Sequence, residues 1–277
     1  MKILISADME GATGVTWPAD VLPGTPQWER CRSMFTSDVN AAVLGFFDGG
    51  ADEVLINEAH WTMRNLLLER LDERAEMLTG RHKALSMVEG VQHDDVDGIA
   101  FLGYHAAAGD RGVLAHTYLA NSITGVWLND VRASEGLLNA HVVAEYGVPV
   151  ILVTGDDVAC EDALGYAPEA PKVAVKDYVS RYAAVCRTPA RTAADIRAAA
   201  QQAAALAVRY EPVSAGPHTM ALEFDAEHLA LAATVVPGVA QTGERKVAYT
   251  EETMYAAIRT FKAVTTLVSA AVEEQYG

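Results

Sequence analysis

Basic residues are scarce in this sequence. Lys and Arg total 21 against 37 Asp and Glu, for a formal charge of −16. Binding phosphate needs a basic surface, so nucleic acid is excluded as the main ligand. Adhesion to anionic membranes is excluded on the same ground. Cysteine is scarce too. Cys31, Cys160 and Cys186 are odd in number and far apart. They form no disulfide framework and no CxxC metal knuckle, which fits a reducing compartment. No stretch of about 20 uninterrupted apolar residues is present, so no membrane-spanning helix is expected. The N-terminal apolar run, Ile3-Leu4-Ile5, is short and ends in acids, unlike a signal peptide. A cytoplasmic location is the expectation. GxGxxG after a strand, GxxxxGK[ST] and GxSxG are also missing, which leaves a nucleotide cofactor or a serine nucleophile elbow without support.

What is present is alternation. Apolar residues make up 51 % of 277 positions, enough for a large core. Residues 2–7 read as a buried strand, and 37–48 as a helix capped by Ser37 and stopped by Gly49-Gly50. Further strands are expected at 54–57 and 98–104, and two short extended pieces at 126–133 around an Asn129-Asp130 turn. A helix then runs from a Ser134 cap to Gly147, and 148–157 is a strand followed by a turn. This pattern predicts an α/β fold, a largely parallel sheet with helices on both faces. From about residue 188 the character shifts to an alanine-rich helix, a strand at 219–224 and an extended piece around Val247–Tyr249. The last element is a helix from about Glu251 to Glu274 with Thr250 as its cap. We therefore expect a catalytic α/β domain over 1–188 and a smaller α+β portion over 189–277. Tyr255, Ile258, Phe261 and Val264 form an apolar stripe at helical spacing, which either covers the chain's own sheet or meets another subunit.

The chemistry collects at strand ends. In "ISADMEG", Asp8 and Glu10 are two residues apart at the end of the first strand, so on an extended chain they point the same way. Two carboxylates aimed at one spot stay ionised only beside a cation. The alternative is a helix-capping Asp followed by a surface Glu. "VLINEAH" and "FLGYH" place His60 and His105 at equivalent positions. Ligands of open α/β sheets bind outside the carboxyl ends of the strands, so these four residues are candidates for one site. His116 and Glu135 are weaker by position: a loop histidine, and an acid in the first turn of a helix, where the dipole already favours it. Asp156 and Asp157 read better as caps or supporting residues than as ligands. His82, His93, His141, His218 and His228 read as surface or core histidines.

"DMEG" at 8–11, "NEAH" at 57–60, "GYHA" at 103–106, "GVLAH" at 112–116, "SEGLLNA" at 134–140 and "VTGDD" at 153–157 occur in the order found in the zinc-dependent D-aminopeptidases. Over at least residues 1–160 the sequence resembles that metallopeptidase family, with weaker agreement beyond. The resemblance implies a dinuclear site of two Zn²⁺ per chain, with Mn²⁺ or Co²⁺ as substitutes. It implies that Asp8 bridges the metals, that Glu10 and His60 complete one set, and that His105 and Glu135 complete the other. His116 matches the catalytic histidine, as proton carrier or oxyanion stabiliser. Glu58 departs from the family's usual Asp, which bears on the orientation of His60. The implied activity is release of N-terminal residues, D-amino acids in particular, from short peptides. The implied assembly is a homodecamer enclosing a chamber. Two alternatives stand beside it. One is a dinuclear metal amidase or phosphoesterase. The other is a transport-associated peptide-binding protein, which the missing signal peptide and lipobox cysteine disfavour.

Overall fold

The computed structural model describes residues 1–213 and 216–272. The strands in chain order are β1 (Lys2–Ala7), β2 (Glu53–Glu58), β3 (Glu76–Leu78), β4 (Val96–Tyr104), β5 (Ile123–Leu128), β6 (Val131–Arg132), β7 (Val150–Asp156), β8 (Lys172–Ser180), β9 (Ala183–Cys186), β10 (His218–Phe224), β11 (Ala240–Gly243) and β12 (Lys246–Glu251). The helices are α1 (Pro18–Val21), α2 (Pro26–Asp48), α3 (Glu135–Ala144), α4 (Asp157–Asp162), α5 (Pro189–Ala203), α6 (Glu227–Ala233) and α7 (Met254–Ala271). No helix among the described residues is long and apolar enough to cross a membrane.

The expected α/β architecture is present. One sheet runs β3-β2-β1-β4-β7-β8-β9, parallel except for the β8–β9 hairpin. Alternation along β1 divides its side chains between two cores. Ile3 and Ile5 pack with Phe35 and Phe46 of α2 and Ile196 of α5. Leu4 packs on the opposite face, in a core that includes Phe101, Leu138 of α3 and Phe261 of α7. Each fully buried Phe contributes roughly 1.5–3 kcal/mol relative to exposure. A second, antiparallel sheet runs β11-β12-β10-β5-β6. Sheet membership and chain order interleave. Residues 123–132 join the C-terminal strands, whereas α5 returns to pack on α2 against the first sheet.

Two helix starts differ from expectation. Helix α2 begins at Pro26, well before Ser37; Thr25 caps it, accepting from the Trp28 N–H at 3.1 Å. Its first turns are polar on the outer side, which hides the stripe of Trp28, Cys31 and Phe35. Proline at the first helical position reinforces that start. Helix α7 is capped by Thr253, because Thr250 is paired with Thr219 inside the second sheet. Glu274, the expected end of that helix, lies outside the described residues. The Asn129-Asp130 turn is as read: both residues have positive φ, 50° and 67°.

Strand order reverses at β1, which has β2 on one side and β4 on the other. A crevice at the carboxyl ends of the strands is expected at such a reversal. Asp8, Glu10, His60, His105 and His116 lie in the loops beyond this edge, and Glu135 reaches the same place from the first turn of α3.

Candidate metal centre

Strand β1 ends at Ala7, so Asp8 and Glu10 sit in the turn beyond it, and pleating is not what aligns them. Glycine contacts set this turn. Gly103 has φ +70°, and a Cβ there would lie 2.0 Å from the Asp8 carbonyl. A Cβ on Gly11 would lie 2.0 Å from the Tyr104 carbonyl. The turn thus closes on the end of β4, with the Asp8 N–H donating to Leu102 at 2.8 Å and the Gly11 N–H to Gly103 at 2.7 Å.

The six candidate residues converge. His60 Nδ1 lies 2.9 Å from Glu10 Oε2 and 3.5 Å from Asp8 Oδ1. His105 Nε2 lies 3.3 Å from Asp8 Oδ2 and 3.5 Å from Glu135 Oε1. The two oxygens of Asp8 therefore face two different imidazoles. His116 Nε2 stands 3.7 Å from Glu10 Oε1 and 4.0 Å from Glu135 Oε1, and its ring stacks on His105 at 4.2 Å and 8°. Asp8, Glu10, His60, His105 and Glu135 are all buried; His116 is part-exposed at 14 %.

Backbone carbonyls hold the imidazoles. His60 Nε2 lies 2.9 Å from the Val21 carbonyl, His105 Nδ1 3.0 Å from Ala106, and His116 Nδ1 2.8 Å from Leu114. A carbonyl only accepts, so each of these nitrogens carries the proton. The nitrogen that faces the cluster is left with its lone pair, as ligating histidines require. Glu135 opens α3 behind the Ser134 cap, and its Oε1 accepts the Tyr118 N–H at 2.8 Å. Glu58 orders the chain after His60, accepting the N–H groups of Asn65 at 2.8 Å and Leu66 at 2.6 Å. Asn65 in turn donates to the His60 carbonyl at 2.9 Å. The longer acid at this position thus acts on the loop, not on the ring.

The electrostatics call for a cation. Burial disfavours charge on Asp8 and Glu10, yet the neighbouring imidazoles hold both carboxyls below their ordinary range. Burial likewise opposes protonation of His60 and His105. The carboxylates outweigh it, Glu10 most strongly at His60 and Glu135 at His105, and raise both well above the ordinary value, so that without a metal each ring draws a proton onto the nitrogen whose lone pair a metal would take. Asp8 Oδ2, Glu10 Oε2 and His105 Nε2 are buried without a hydrogen-bond partner. Orphaned acceptors facing one another are costly unless positive charge sits between them. Mixed oxygen and imidazole donors suit Zn²⁺, so the residues fit a metal.

Asp156 caps α4, accepting from the Ala159 N–H at 2.7 Å, and also holds the histidine loop through the Val113 N–H at 2.6 Å. It is a support, as expected. Asp157 accepts the Tyr178 N–H at 2.6 Å. Lys176 and Asp38, both buried beneath the Asp8–Val15 turn, are not evident from sequence. The only trace of the first is a lysine within the apolar alternation of β8, "KVAVKDYVS".

A family model described as peptidase M55, D-aminopeptidase, matches residues 1–263. The chain is similar to the D-aminopeptidase of Bacillus subtilis (strain 168), 39 % identical over 191 residues, which cover 69 % of each chain. Its fold is similar to a solved structure described as Zn-dependent D-aminopeptidase DppA from Bacillus subtilis, a self-compartmentalizing protease. The TM-score is 0.91 at 33 % identity, covering 97 % of this chain and 98 % of that one.

Proposed function

This chain belongs to the peptidase M55 family of D-aminopeptidases, and from that membership we propose that it is a zinc-dependent aminopeptidase releasing N-terminal D-residues from short peptides. The observation that carries the metal reading is Asp8, whose two oxygens face His60 and His105 separately. Asp8 would bridge two Zn²⁺. Glu10 and His60 would complete one set, and His105 and Glu135 the other. Mn²⁺ or Co²⁺ would serve as substitutes. Bound zinc supplies Lewis acidity and lowers the pKa of water to near neutrality.

The chain's own residues do the rest. His116 keeps Nδ1–H on the Leu114 carbonyl, so Nε2 faces the cluster with its lone pair and can take up a proton. It can then deliver that proton to the leaving amine. Its 14 % exposure leaves it open to incoming substrate, unlike the five more deeply buried residues.

The assembly proposed is a homodecamer in the cytoplasm, acting on short peptides. The solved relative is a self-compartmentalizing protease, and that likeness supports an oligomer here. The test is metal counting with a substrate panel. About two divalent ions per chain are expected, with activity lost on chelation and restored by Zn²⁺. D-residue amides should be cleaved ahead of L-residue amides and phosphate esters. Full activity in metal-free protein, or a preference for phosphate esters, would overturn the reading.

A further inference from the structure

Lys176 projects from β8 into the interior and has no exposed surface. Its Nζ donates to the carbonyls of Glu10 at 2.6 Å, Ala12 at 3.0 Å and Val15 at 2.6 Å. An ammonium has three N–H donors, and here all three go to one loop. Each partner is a neutral carbonyl. Burying a charge of this kind is costly before compensation. The interactions that hold it therefore constrain the loop strongly.

The loop is the one that carries Glu10. Its carbonyl turns down to Lys176 while its carboxylate turns up to His60. The Val15 contact fixes the far end, just before the segment whose Val21 carbonyl holds His60 Nε2. Lys176 thus reaches both members of one half of the centre, Glu10 directly and His60 through residues 15–21. The other half is anchored elsewhere, His105 at the end of β4 and Glu135 on α3. Charge adds to this geometry, because a cation beneath the loop favours the carboxylate above it.

We propose that Lys176 is a positioning residue for the Glu10/His60 half of the metal centre, tuning metal affinity there and not at the His105/Glu135 half. This rests on the dinuclear reading above. Partners that orient metal ligands typically account for roughly 10- to 100-fold in metal affinity. Coupling of this kind is reciprocal, so metal bound at that half should stabilise the Lys176 tether by the same factor.

The test compares wild type with K176M by Zn²⁺ titration against a chelator, with Co²⁺ absorption as a second readout. One of the two binding steps should weaken by roughly 10- to 100-fold while the other stays within threefold. The Co²⁺ spectrum of the weakened step should change. A purely structural lysine would lower the melting temperature and leave both affinities and the spectrum unchanged, which would overturn the proposal. If K176M does not fold, the wild-type protein decides. Amine acetylation of Lys176, read by mass spectrometry, should slow by the same factor when metal is added to chelated protein, relative to Lys172. Equal labelling with and without metal would overturn it. Wild type that binds no metal would instead remove the dinuclear reading itself.

Discussion

In the dinuclear centre proposed above, Asp8 is the residue on which both halves would depend, because each of its oxygens faces a separate imidazole. Asp8→Ala should therefore empty both metal positions, whereas Glu135→Ala should empty one, leaving Asp8, Glu10 and His60 for the other. Metal counting by elemental analysis checks this; a fully loaded Asp8→Ala would end the bridging assignment. His116 is expected to keep both metals when changed to Ala, while kcat falls by roughly 10²–10⁴-fold. Loss of metal in that variant would make His116 a ligand. Asp38 makes a separate prediction about pH. Burial raises its carboxyl to about 6 from 3.8, against the pull of the Thr13 N–H and hydroxyl and the charge of Lys176. The native state thus holds this proton more tightly than the unfolded chain. The stability it contributes is complete below about pH 4 and is lost as pH rises through about 6. The stability of wild type minus that of D38N should fall by on the order of 3 kcal/mol between pH 4 and 7. Denaturant titrations across that range measure it, and a pH-independent difference would contradict the assignment.

At the scale of elements, the centre depends on a turn closing against the end of a strand. Gly11 has no room for a side chain, since a Cβ would sit 2.0 Å from a backbone oxygen of Tyr104. Gly11→Ala must push the turn away from β4. We expect a loss of about 1–3 kcal/mol, together with weaker metal binding, because Asp8 and Glu10 ride on the same turn. Calorimetry and chelator competition read the two effects. A variant as stable and as tightly loaded as wild type would show that the turn is not constrained. The loop bearing His116 is strained by comparison: Leu114, Tyr118 and Ala120 have φ of 54°, 61° and 41°. Such backbone costs of order 1–3 kcal/mol per residue and persists where the surroundings over-determine it. Here Asp156 holds Val113, the Arg181 carbonyl holds the Leu114 N–H, and Glu135 holds the Tyr118 N–H.

For the whole molecule, the apolar stripe of the last helix answers an open question. Ile258, Phe261 and Val264 are buried within the chain, packed with β10 and β12, and only Tyr255 of the four is exposed. That stripe is therefore unavailable for assembly. Apolar side chains that are exposed lie elsewhere, as with Val179, Tyr182 and Val185 at the β8–β9 hairpin. We expect a closed symmetric particle of roughly ten subunits. Sedimentation would measure its size, and a peptide length series its access. Cleavage should fall steeply with chain length, and folded proteins should resist. A monomer that cleaves long chains as fast as dipeptides would refute the chamber and leave the metal chemistry standing.

The sequence by itself determined what is local. Apolar runs of strand length punctuated by glycines set the parallel sheet, and acids and histidines placed just beyond Ala7, Glu58 and Tyr104 set the edge where chemistry collects. Both signals depend on neighbours a few residues apart, so they survive in one dimension. The helix start at Thr25 is hidden by the polar outer side of its first turns, and the start at Thr253 by Thr250, which offers a cap three residues earlier. Tertiary structure alone decided which oxygen of Asp8 faces which imidazole, and which nitrogen of each histidine is free. Those choices rest on Val21, Ala106 and Leu114 as carbonyl partners. The same holds for Lys176, which meets Glu10 across 166 positions of chain. Contacts at that range are set by how the strands order in the sheet, and no spacing in the sequence encodes them.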